Sequence, residues 1–187
     1  YPGTYSNITC ANGVAIKGVG GVADVTVPGI HVSSGTTGNV RIENMTITAV
    51  SNAVSVAGPS TASTLHVKDV IFNLSTGGVT PVANANTIQV AGTGAVTLEN
   101  VQFLGPQRGN LKAPLAAANV IGGVLSVSVA ADMAVTGTSI RYVGATIRGA
   151  GRANVTGATA KADNMIGTYT PSGATVTAAA QQYRGKV

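Results

Sequence analysis

Six carboxylates are all the acid that this 187-residue chain can bring to a reaction: Asp24, Glu43, Asp69, Glu99, Asp132 and Asp163. Glycoside hydrolysis needs two carboxyl groups facing one bond, and a calcium site needs several oxygen ligands gathered together. Glu43 and Glu99 occupy the same position in a repeated sequence pattern, and Lys68 takes that position in the copy between them. Two coils apart, the two acids would lie about 9.6 Å from each other at the backbone, which leaves a hydrolase pair open. An outward Glu43–Lys68–Glu99 ladder, with opposite charges on adjacent strands, is the simpler account.

The other reactive side chains are sparser still. His31 and His66 have no Cys or acid partner at metal-ligand spacing, so both read as surface or loop histidines. Cys10 is the single cysteine and excludes an intrachain disulfide. With no base near it in sequence, it reads as a small packed side chain. G-x-S-x-G elbows, phosphate-binding loops and paired C-x-x-C motifs are all missing. The glycine-rich GVGGVAD from Gly18 reads as solenoid strand, with no helix behind it to hold a phosphate. No catalytic residue, cofactor site or metal site is therefore expected. Sequons stand at Asn7, Asn44, Asn73 and Asn154, in a chain rich enough in Asn, Thr and Ser to make chance matches common.

Eleven Lys and Arg against six acids give a net charge of +5. The basic residues are scattered, and only Arg141, Arg148 and Arg152 gather within a short span. A nucleic-acid surface needs a denser basic stripe with aromatic platforms, so nucleic acid is not an expected partner. No apolar run reaches the length of a membrane span and no signal peptide is visible. The chain begins at Tyr1 in what reads as the middle of a repeat, as a processed product would.

The elements that must position these residues are strands. Hydrophobic residues make up 44% of the chain and charged residues only 9%, and the apolar share is mainly Val, Ala and Ile. That mix is poor in strong helix formers and rich in β-branched and turn residues. One pattern recurs as VRIENMTI from Val40, LHVKDVIF from Leu65 and VTLENVQF from Val96, with fainter copies from Val14 and Ile140. Its first and third residues face one way, the period-two signature of a strand. Its fifth position holds Gly18, Asn44, Asp69, Asn100 and Gly144, residue types that tolerate left-handed backbone or close a bend. Short strands ending in Gly, such as VTVPG from Val25 and TIQVAG from Thr87, lie between the copies.

Three short strands per turn, repeating about every 25 to 31 residues, describe a β-solenoid whose coils bury one continuous core by stacking. The expectation is a single all-β domain over residues 1–187, a right-handed parallel β-helix of six to seven coils, roughly 30 Å long. The bend residues should stack and share hydrogen bonds. Phe72 and Phe103, at one repeat position, should stack inside, and Tyr142 should point inward. The segment 104–118, with its two prolines, reads as an irregular loop thrown out from the coil. A β-sandwich would instead need hairpin turns; Asn12-Gly13 fits one, but the repeated bend residue does not.

The opening YPGTYSNITCANGVAIKGVGG resembles the first coil of pectin-lyase-like right-handed β-helix proteins, and the V-x-I-E-N-x-T-I copies resemble their middle coils. The low-charge Ala/Val/Thr/Gly style is similar to repeat proteins of large DNA virus particles and to phage tailspike shafts. The resemblance implies a fold and no particular activity. It makes a non-enzymatic structural component of a virion or surface fibre the leading expectation. Such a chain would self-associate as a lateral trimer or end to end, because uncapped coil edges invite pairing. A carbohydrate-binding or carbohydrate-degrading module is the alternative. Five Tyr and two Phe are few for sugar stacking, and Thr46, Thr48 and Thr97 do not make the regular array of an ice-binding face.

Overall fold

The computed structural model describes residues 1–10, 13–33, 38–48, 53–56, 64–73, 86–105, 109–127 and 135–149, and beyond these the strands within 153–155, 159–163, 169–171 and 175–176. Every described element is a β-strand, and together they wind as a parallel β-solenoid.

The lowest described rung is β1 (Gly3–Thr4), β2 (Ile8–Cys10) and β3 (Val14–Lys17). Above it come β4 (Val25–Val27), β5 (Ile30–Val32), β6 (Asn39–Ile47), β7 (Val54–Val56), β8 (Thr64–Asn73), β9 (Asn86–Val90), β10 (Val96–Glu99) and β11 (Gln102–Leu104). The stack continues with β12 (Gly109–Ile121), β13 (Val124–Val127), β14 (Val135–Val143) and β15 (Thr146–Gly149). Last are β16 (Ala153–Val155), β17 (Thr159–Asp163), β18 (Tyr169–Pro171) and β19 (Thr175–Val176).

Three parallel ladders make the faces. On the first, Val40, Leu65, Val96, Ala118 and Ile140 pair in turn. On the second, Ile47, Phe72 and Phe103 do so, and on the third Ile30, Val54, Ile88, Leu111 and Val135. These side chains are all 2% exposed or less, so each coil's inward residues close the core of the next. No single coil could bury them alone, which is why the repeat folds only as a stack. Phe72 and Phe103 lie ring on ring, with centroids 4.9 Å apart and planes 10° apart, and Tyr142 is fully buried.

About four turns wrap this closed core, fewer than the six to seven coils that the repeat spacing predicts. The apolar residues of the lowest described rung, Ile8, Cys10, Val14 and Ile16, are only half-buried, and beyond Gly149 the described strands that continue the first face are β17 and β19, while β16 pairs with β18. The loop expected over 104–118 is also corrected. From Gly109 to Ile121 the chain is strand β12, which pairs with β9 on the third face and with β10 on the first. It turns the corner through a register irregularity between Ala113 and Ala117, where the missing N–H of Pro114 is tolerated. Ala118 thus supplies the repeat copy that the long gap between Val96 and Ile140 hides.

Asn44, Asp69, Asn100 and Gly144 hold positive φ of 55°, 51°, 52° and 62°, as the bend pattern predicts. Gly122, one rung above Asn100, is a further member with φ 61°. Gly18 belongs to the ladder for a different reason: an added Cβ would lie 1.9 Å from the Asn44 carbonyl oxygen, so close approach rather than left-handed backbone requires glycine. Asn100 Nδ2 donates to Asp69 Oδ1 at 2.7 Å, and Asn44 Nδ2 donates to the carbonyls of Gly18 and Gly20 at 3.0 and 2.7 Å. Asn100→Ala removes one of these bonds and places a Cβ-bearing residue without a polar side chain in left-handed backbone. It should lower stability by about 1–2 kcal/mol, and Asn100→Gly by less, in urea titrations followed by circular dichroism.

Candidate functional site

The first face gathers Lys17, Arg41, Glu43, Lys68 and Glu99 because outward residues of β3, β6, β8 and β10 fall in two columns. One holds Ala15, Arg41, His66 and Thr97, and the other Lys17, Glu43, Lys68 and Glu99. Lys17 therefore extends the expected Glu43–Lys68–Glu99 ladder downward, so that sign alternates over four rungs.

The contacts divide this ladder into two clusters. Glu99 Oε1 accepts from Lys68 Nζ at 2.6 Å, and its Oε2 lies 3.0 Å from His66 Nε2. Glu43 is bound by Arg41 Nε of its own strand and more loosely by Lys17 Nζ at 3.9 Å. Each carboxylate thus has two basic partners, and Lys68 leans toward Glu99. Glu43 and Glu99 are not brought together, and Lys68 stands between their rungs.

The Lys68 hydrogen bond holds the Glu99 carboxyl below the usual carboxylate range, and His66 adds to this against the opposing effect of desolvation. In return, the Glu99 hydrogen bond and charge raise the Lys68 ammonium above the usual lysine value. A depressed carboxylate contributes stability that is present above about pH 4.3 and is lost as pH falls through its folded value; a raised lysine loses its contribution above about pH 10.4. The contribution of this pair to the melting temperature should therefore be flat between these limits and fall on both sides. Glu99→Gln should shrink the acid-side fall, as scanning calorimetry from pH 2 to 8 would show. Both side chains are about one-third exposed, so the effect is small.

His66 lies at the surface as expected, but on a strand and with an acid partner 33 positions away. His31 likewise sits on β5, with Nδ1 2.7 Å from Ser55 Oγ on the rung above. Cys10 is half-buried as expected; its thiol lies 3.6 Å from the His31 carbonyl oxygen, and burial pushes its pKa up. Gly18–Asp24 is a bend and turn between β3 and β4, not strand; Asp24 Oδ2 accepts the Gly21 N–H at 2.6 Å. Among the sequons, Asn7 is exposed, whereas Asn44 has its amide engaged by two carbonyls. Asn73 is half-buried, and the side chain of Asn154 lies outside the described residues, as does Asp132.

Two concavities adjoin this face. A groove of about 620 Å³ runs over Lys17, Gly20, Arg41, Glu43, Asn44, Lys68 and Asp69. A second, of about 420 Å³, lies where Ile8, Ile16, Val25, Val27 and Met45 meet Tyr1 and Tyr5. Tyr1 is fully exposed and Val19, on its rim, is 65% exposed. Among the described residues, no group of three or more His, Cys, Asp and Glu gathers to hold a metal ion, and no helix is long and apolar enough to cross a membrane.

No family model, curated protein or solved structure matches this chain.

Proposed function

We propose that this chain is a non-enzymatic structural protein, a β-solenoid element of a virus particle or surface fibre that self-associates through its ends or faces. The observation that carries the reading is the stack itself, in which the inward residues of coil upon coil build one continuous apolar core. Apolar side chains that pack on this core, Ile8 and Ile16 among them, also line a groove with Tyr1 and Tyr5. Such a groove can receive an apolar segment of a second copy, and exposed strand edges of a solenoid pair with another chain. The charges of the first face are matched within the chain, which suits a wall more than a reaction centre. The low-charge repeat style supports the virion or fibre assignment, and the first-coil residues support membership of the pectin-lyase-like superfamily. An extracellular or virion location follows from the same reading.

Ile16→Lys tests it by placing a charge in the groove. Sedimentation velocity should show assemblies of the wild type shifting to the single chain, with an unchanged far-UV spectrum. Equal sedimentation of the two proteins would exclude this groove as the contact.

A second reading, a carbohydrate-binding or carbohydrate-degrading module, is favoured by the polar groove over Lys17, Arg41, Glu43 and Asp69. It expects a hit on a glycan array or released oligosaccharide, abolished by Glu43→Gln. The structural reading expects neither.

A further inference from the structure

We draw no further inference here: the strongest candidate, the hydrogen-bonded His31–Ser55 pair on the third face, carries nothing because it is the same kind of rung-to-rung contact that Thr64 and Asn39 make on the first face and no second feature directs it toward a ligand.

Discussion

Truncating Phe103 to alanine should lower the unfolding free energy by about 3–5 kcal/mol, the largest loss expected from any single core residue of this protein. Its ring is 1% exposed and lies flat on Phe72, itself fully buried, so the truncation empties a ring-sized space between two stacked coils. Aliphatic neighbours on adjoining rungs cannot collapse into that space without breaking the ladder register that holds them. For a chain of this length the loss amounts to a fall of roughly 6–20 °C in melting temperature. Leu104→Ala is the control next door: Leu104 is 38% exposed, and its truncation should cost less than about 1 kcal/mol. Urea unfolding of the two variants beside the wild type checks both values. Similar losses at 103 and 104 would mean that the second-face column is not packed as described.

The second large effect comes from backbone. Gly122 and Gly123 both hold left-handed φ, 61° and 76°, yet their surroundings differ. A Cβ on Gly122 meets nothing within 4 Å, so Gly122→Ala bears only the conformational penalty, about 1–2 kcal/mol. A Cβ on Gly123 would stand 2.3 Å from the Val101 carbonyl oxygen and 2.7 Å from its nitrogen. Val101 also accepts the Val124 N–H at 2.9 Å, so it cannot retreat without opening the pairing of β11 with β13. Gly123→Ala should therefore cost at least about 3 kcal/mol, the sum of strain and displacement, and reduce soluble yield. Thermal melts of the two neighbouring variants separate the terms. Equal melting temperatures would show that the coils do not approach each other here as the structure has them.

The stacking of this fold was legible because a solenoid writes its register into the sequence. Val40/Ile42, Leu65/Val67 and Val96/Leu98 alternate with polar residues and precede Asn44, Asp69 and Asn100, so one copy announces the next. Phe72 and Phe103 were legible for the same reason. The copy at Ala118 was not. Its inward residues are Ala118 and Val120, alanine gives almost no hydrophobic contrast, and Pro114 nearby signals a loop when it in fact marks a corner. Gly122 escaped notice with it, although its place opposite Asn100 follows once the rung is known.

The charged face was half legible. Glu43, Lys68 and Glu99 share a column, so their alignment followed from repeat position alone. Their pairing did not, because the choice of Lys68 for Glu99 over Glu43 depends on side-chain reach and on Arg41 already holding Glu43. His66 was missed as a partner because the acid it meets belongs to the next coil and to the neighbouring column. Only a diagonal reading of adjacent copies would have found it. The apolar groove combines Tyr1 and Tyr5, which flank β1, with residues of β2, β3 and β4 and with Met45 of β6, and no linear pattern brings those residues together.

Light scattering of the wild-type protein on a size-exclusion column, over a hundredfold range of concentration, tests the central claim of self-association most directly. A trimer or a larger, concentration-dependent species is the predicted result. A single-chain mass that persists at the highest concentration would contradict it.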